Sequence, residues 1–257
     1  MRYDIDDAKL AVLYEPNCIY NCEGDMTLVL AKKYSGGIIM ASDGRMILAP
    51  KGKIADVDDK FEKIFPLTPY SVIGISGKDL DPEAVKHFGN SIKETVMKML
   101  KAPYSIQDCA SDVHCILKKT KETLGFQPNV LIAGYGCDAE GCASTSGFVM
   151  INETLGLSYD MRPIPARTAF ASTTTLDAAR AKRRADDLSI SMDIAYDKSL
   201  TVESLYKIIN EVSKTDKSVG GQVYYWDITD GAEPLRGEAV WGEVGQKITI
   251  GEEYPRH

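Results

Sequence analysis

Two short apolar runs near the start of the chain, Leu28-Val29-Leu30-Ala31 and Ile38-Ile39-Met40-Ala41, are joined by an expected turn, Lys32-Lys33-Tyr34-Ser35-Gly36-Gly37. The pattern predicts a β-hairpin, with Thr27 opening its first strand and Ser42-Asp43-Gly44-Arg45 closing its second. Tyr70 to Gly77 reads as a buried strand. Helical periodicity follows. Asp81-Pro82 offers an N-cap carboxylate and a proline suited to the first helical position, which predicts a helix to about Lys101. Ser105, paired with Asp108 in a capping-box pattern, predicts a second helix with Ile106, Cys109, Val113, Ile116 and Leu117 along one stripe. Strands are predicted again at Asn129 to Gly136 and Gly147 to Asn152, then helices at Leu176 to Leu188 and Val202 to Lys214, and a final strand at Gly221 to Ile228.

Groups of strands separated by pairs of helices predict an α+β fold rather than a doubly wound parallel sheet. Two antiparallel sheets packed face to face, each covered outside by a helix pair, would bury every apolar face named above. That arrangement is a four-layer αββα sandwich. A chain of 257 residues is long enough for one large domain, and no linker-like composition divides it. The expected organisation is an N-terminal extension or propeptide over 1–26, a main domain over 27–235 and a C-terminal tail over 236–257, in which Trp241 would anchor the tail along a neighbour.

Composition narrows the function classes. Hydrophobic residues at 44% and charged residues at 26% are ordinary for a folded protein. The net charge of −7 and pI near 5.1 disfavour a nucleic-acid partner, because a phosphate backbone would be repelled. The basic cluster Arg180, Lys182, Arg183 and Arg184 is followed at once by Asp186 and Asp187, and reads as a solvated helix face or a subunit contact. The start of the chain lacks the basic-then-apolar order of a secretory signal, and no run is long enough to span a bilayer, so a cytoplasmic protein without a membrane partner is expected. Six cysteines are too few for a disulfide scaffold in a chain of this length. Neither Cys18 with Cys22 nor Cys137 with Cys142 has a zinc-site spacing with a second half nearby, and His87, His114 and His257 are scattered; free thiols and no metal or cofactor are expected.

Three common catalytic or nucleotide-binding motifs are absent. The run Gly74 to Asp79, "GISGKD", is too short between its glycines for a phosphate-binding loop, and neither a G-x-S-x-G elbow nor an H-E-x-x-H helix occurs. What remains is the set Thr27, Asp43, Lys60 and Gly77. The segments "TLVLAKKYSGGIIMASDGR", "DKFEKIF" and "YSVIGISGKDLD" resemble the opening of a proteasome β-type subunit, an N-terminal nucleophile (Ntn) hydrolase, and the resemblance runs from Thr27 to about Ile228. It implies that Thr27 is the nucleophile at the head of the mature chain, that Asp43 closes the second strand, and that the lysine just before the third strand is Lys60. Lys60 stands one residue beyond the family's spacing, which a one-residue insertion in the preceding loop accounts for.

The implied chemistry needs these residue types. A threonine hydroxyl is a weak nucleophile, and an N-terminal α-amine, with a pKa of roughly 7.7–8.0, can take its proton where a backbone amide cannot. Lys60 would lower the proton affinity of the hydroxyl and amine, and Asp43 would hold Lys60 charged and oriented. The N–H of Gly77 would donate to the tetrahedral oxyanion. Ile75, Asp79 and Met46 complete the expected substrate-binding set, and Asp58 with Asp79 points to basic residues before the scissile bond. Where the family has Asp-x-x-Ser-Gly-Gly, this chain has Asp216-Lys217-Ser218-Val219-Gly220-Gly221. Asp216 keeps its place, Val219 occupies the serine's, and Ser218 is the hydroxyl beside it. Thr175 stands where the family has its other network serine.

Thr27 follows Met26 rather than the glycine usual before self-cleavage. The segment 1–26 is then an atypical propeptide, a region upstream of initiation at Met26, or a retained extension. The resemblance implies a threonine-type peptidase acting on peptides or unfolded proteins, assembled as a homo-oligomeric ring, with proteasome-like subunits or an unfoldase as further partners. Two alternatives stand beside it: a non-catalytic ring-forming subunit, and an Ntn amidohydrolase or peptide ligase, since an acyl-enzyme can be resolved by water or by an amine.

Overall fold

The computed structural model describes residues 28–48, 56–78, 82–120, 127–154, 158–163, 168–172, 197–216, 218–240 and 249–253. The opening hairpin forms from β1 (Leu28–Tyr34) and β2 (Gly37–Asp43). Its turn is tighter than predicted, because Tyr34 already pairs with Gly37 and leaves only Ser35 and Gly36 between the strands. The two lysines expected in the turn belong to the strand. Lys32 buries its stem and brings Nζ to 3.5 Å from Ser204 Oγ, while Lys33 crosses the Phe148 ring to donate to the Ser146 carbonyl oxygen at 3.1 Å. Long cationic side chains cover apolar surface with their methylenes, so charge alone is a poor turn signal.

Among the described residues there are three sheets, the hairpin belonging to one of them, and every pairing is antiparallel. A two-stranded ribbon pairs β3 (Met46–Leu48) with β4 (Asp56–Asp58). The five-stranded sheet runs in chain order through β5 (Ile64–Thr68), β6 (Ser71–Lys78), β7 (Gln127–Cys137), β8 (Ala143–Thr154) and β9 (Ser158–Pro163). The six-stranded sheet has the order β10-β1-β2-β11-β12-β13, with β10 at Thr168–Ser172, β11 at Val223–Thr229, β12 at Leu235–Val240 and β13 at Thr249–Glu253. The region expected as a separate tail after 235 therefore continues this sheet: β12 pairs with β11, and β13 pairs with β12.

Among the described residues there are three helices: α1 (Pro82–Met99), α2 (Ile106–Thr120) and α3 (Lys198–Thr215). The predicted helix at 176–188 lies outside the described residues, as does Trp241. At the start of α2 the Asp108 carboxylate accepts from Ser105 N at 2.7 Å and Oγ at 2.8 Å, while Asp108 N donates back to Ser105 Oγ at 3.2 Å. That is the reciprocal capping box read from the sequence. The third helix begins four residues before the predicted Val202, because the Asp197 side chain caps it by accepting from Leu200 N at 2.8 Å. No helix among the described residues is long and apolar enough to cross a membrane.

Alternation within β1 and β2 organises the core. Leu28, Leu30, Ile39 and Ala41 pack with Val202, Leu205, Ile209 and Val212 of α3. Val29, Ala31, Ile38 and Met40 face the other way, against Ile64, Val72, Leu131 and Phe148 of the five-stranded sheet. Both faces of the hairpin are thus buried, which is why its runs read as continuous rather than alternating. On its far side the five-stranded sheet packs Ile73, Val130, Ile132 and Val149 against Ile92 and Val96 of α1 and Cys109, Val113 and Leu117 of α2. Gly74 lets the sheets approach, since a Cβ there would lie 2.4 Å from Val29 Cγ1. The fold is α+β, built of antiparallel sheets with helices packed against them.

Candidate active site

Asp43 ends β2 with no solvent exposure and four hydrogen-bond partners. Its Oδ1 accepts from the Leu28 N–H at 2.9 Å and from Lys63 Nζ at 3.0 Å. Its Oδ2 accepts from the Gly220 N–H at 3.1 Å and the Arg45 N–H at 3.2 Å. One carboxylate therefore joins the start of β1, the turn after β2, the loop entering β5 and the loop entering β11. Lys63 is equally buried and also donates to the Arg45 carbonyl oxygen at 2.5 Å.

The surrounding backbone explains how a charged pair is held here. Gly44 N donates to Gly220 O at 3.0 Å, Phe61 N to Gly44 O at 2.9 Å, and Ile75 N to Lys63 O at 2.9 Å. Gln222 N donates to Asp59 O at 2.8 Å, and Gly221, at φ +72°, turns the chain so that this contact can form. A Cβ on Gly221 would lie 2.4 Å from that same Asp59 oxygen. Glycine is required twice over, for its left-handed backbone and for the close approach.

Burial pushes the Lys63 ammonium below its ordinary pKa, with the Asp43 charge opposing the shift. Burial likewise pushes the Asp43 carboxyl up, against the Lys63 charge and the N–H groups of Leu28 and Gly220. The arrangement is a fixed, desolvated cation with reduced hold on its proton, placed where β1 begins. Such a group can stabilise negative charge that develops beside it far better than a solvated lysine could.

Lys60 is not this cation. Its side chain is exposed, and the loop fixes its backbone instead: Lys60 N donates to Asp58 Oδ1 at 2.8 Å, and Lys60 O accepts from Tyr224 OH at 2.8 Å. Asp43 holds Lys63, three residues on. The signal was present in "KFEKIF": β5 starts at Ile64, so the lysine directly before the apolar run is Lys63.

The other expected site residues divide. Asp216 and Ser218 are joined, with Ser218 Oγ donating to Asp216 Oδ1 at 2.5 Å and Ser218 N to the same oxygen at 2.9 Å. Val219 is buried in the apolar cluster under α3, and Gly220 follows it to Asp43. Gly77 lies near the end of β6, opposite Pro128. Ile75 and Met46 sit within the apolar cluster that includes Ile92 and Val96 of α1. Asp58 is exposed on β4. Thr27, Thr175 and Asp79 lie outside the described residues.

A cleft of about 440 Å³ opens elsewhere, lined by Tyr104, Ser105, Asp108, Cys137, Asp138 and neighbours. None of the Asp43 partners borders it. Cys109 and Cys137 are buried free thiols, Cys115 and Cys142 exposed ones. Among the described residues no cluster of metal-ligating side chains occurs. No family model matches the chain, and no curated protein matches it either.

Proposed function

We propose that the chain is a threonine-type peptidase of the Ntn hydrolase kind, a four-layer αββα sandwich whose nucleophile is Thr27 once its amine is free. The observation that carries this reading is the buried Asp43–Lys63 pair at the open end of the first hairpin, where the Leu28 N–H is bonded to the same carboxylate. Thr27 is the residue directly before Leu28 in the chain. Helices on the outer face of each large sheet, and an apolar layer between the sheets, support the sandwich.

In this mechanism the Thr27 α-amine takes the hydroxyl proton as Oγ attacks the scissile carbonyl carbon. Lys63 stabilises the alkoxide character of Oγ, and the Gly77 N–H receives the oxyanion. Collapse of the tetrahedral intermediate expels the amine product, which takes its proton from the Thr27 ammonium. Water then resolves the ester. The same reading carries assembly as a ring of copies and peptide or unfolded-protein substrates.

One observation favours a non-catalytic ring subunit instead. Val219 offers no hydroxyl and is wholly buried, while the Ser218 hydroxyl is committed to Asp216. The deciding experiment frees Thr27 by cleaving a fusion directly before it, then measures peptide hydrolysis and the mass of the adduct with a threonine-directed epoxyketone. The peptidase reading expects turnover and an adduct, both lost in Thr27→Ala. A folded protein with free Thr27 and neither property is the non-catalytic subunit.

A further inference from the structure

Arg45 and Asp59 form a bidentate pair at the rim of the buried site, Nε to Oδ1 at 2.6 Å and Nη2 to Oδ2 at 3.0 Å. Their side chains are 25% and 50% exposed, whereas those of Asp43 and Lys63 are wholly buried. Exposed pairs contribute little to stability as a rule, so the geometry invites a different account. Each partner is tied to the buried pair through its own backbone or surface. The Arg45 carbonyl oxygen accepts from Lys63 Nζ at 2.5 Å. The Arg45 guanidinium lies against Gly220, where a Cβ would come within 3.0 Å of Cζ, and Gly220 N is bonded to Asp43. The Asp59 carbonyl oxygen accepts from Gln222 N, which fixes the loop that delivers Gly220.

We propose that the Arg45–Asp59 pair is a positioning clamp that sets, from the protein surface, where the Lys63 ammonium lies and how firmly it holds its proton. The charged groups facing Lys63 are Asp43 at the end of β2, Arg45 after it, Asp58 on β4 and Asp59 beside it. The three carboxylates favour the ammonium and Arg45 opposes it. Neutralising Asp59 takes one anion from beside Lys63, and neutralising Arg45 takes one cation from beside it. The two changes therefore act on Lys63 in opposite directions, whereas a pair that only filled space would disturb it in one.

The test uses the full chain with nitrogen-15 lysine, following the Lys63 ammonium resonance by NMR and assigning it by its loss in Lys63→Met. Asp59→Asn should shift the resonance and lower its titration midpoint, Arg45→Gln should raise the midpoint, and Asp59→Glu should return it towards the parent. Unchanged midpoints in both neutral variants, or shifts of the same sign, overturn the clamp. If Asp59→Asn or Arg45→Gln fails to fold, Arg45→Lys decides it. It keeps the charge but cannot form the bidentate fork, so an unmoved Lys63 resonance in that variant overturns the positioning. A kinetic arm rests on the peptidase reading: with Thr27 freed, Asp59→Asn should lower kcat by about tenfold or more with KM little changed. An unchanged kcat beside an active parent also overturns the proposal. Loss of all activity in the parent would count against the peptidase reading alone, since the NMR titration is read without substrate.

Discussion

Asp43 and Asp108 carry the same carboxylate and both accept from backbone N–H groups, but one is wholly buried and the other stands in water. Asp108 binds only its local partner Ser105, and those hydrogen bonds hold its pKa below the ordinary 3.8. Asp43 has more partners, among them an ammonium, and yet burial carries its pKa upward. Hydrogen bonding decides the proton at the surface, and desolvation decides it in the core. The consequence for each region differs. The Asp108 cap serves one helix start, while Asp43 ties four separate segments.

The largest expected effect is therefore at the buried pair. Lys63→Met leaves the Asp43 charge without its cation, and breaking one side of a buried pair costs about 3–5 kcal/mol. Urea unfolding should show a midpoint lowered accordingly at unchanged slope. The double variant Asp43→Asn with Lys63→Met removes both charges and should recover part of the loss. A single variant as stable as the parent would mean that the pair is not held as described.

Gly221→Ala comes next. At φ +72° an L side chain is strained, and the new Cβ would press on the Asp59 carbonyl oxygen that Gln222 uses. A loss of about 1–3 kcal/mol is expected, read by the same unfolding curves. The parallel change Gly231→Ala, at φ +73° with nothing near the new Cβ, carries the backbone strain alone. The difference between the two isolates the contact with Asp59.

Much of this architecture could be read along the chain, and the exceptions share a cause. Strands β1, β2, β6, β7 and β8 are legible because their apolar runs are buried between layers, and α2 because its cap and stripe are local. By contrast β3 and β4 have three residues each, too short for any period to appear. In β12 and β13, "LRGEAV" and "TIGEE", strand formation rests on pairing with β11 and then on each other, and no side-chain pattern announces it. The resemblance singled out Asp43 at the end of the second strand, and the structure buries that carboxylate. Its cation was not legible, because choosing between Lys60 and Lys63 requires knowing where β5 starts, and a strand boundary is set by tertiary pairing.

At the surface, Ser105→Ala should cost about 1 kcal/mol, the usual worth of a helix N-cap. The pH dependence distinguishes the two carboxylates more sharply. A depressed pKa means that the unfolded chain binds the Asp108 proton more readily, so this stabilisation is present above 3.8 and is lost as pH falls through the depressed value. A raised pKa gives Asp43 the opposite sign: its contribution is greatest below 3.8 and is lost as pH rises through the raised value. Unfolding midpoints followed from acid to neutral pH should therefore flatten on the acid side in Asp108→Asn. An acid limb unchanged by that substitution would show that Ser105 does not hold the carboxylate charged.

The smallest expected effect is at Lys60, and it bears directly on the comparison of buried and exposed charge. Lys60→Ala removes an exposed ammonium while keeping the backbone N–H that donates to Asp58 and the carbonyl that accepts from Tyr224. Stability should change by no more than about 0.5 kcal/mol, the range of ordinary surface substitutions. On the peptidase reading, with Thr27 freed, turnover should persist in Lys60→Ala and vanish in Lys63→Ala, since of the two lysines it is Lys63 that contacts Asp43. Were the two variants to behave in the reverse way, the cation serving the site would be the solvated one, and burial of the Asp43–Lys63 pair would be a matter of structure rather than of chemistry.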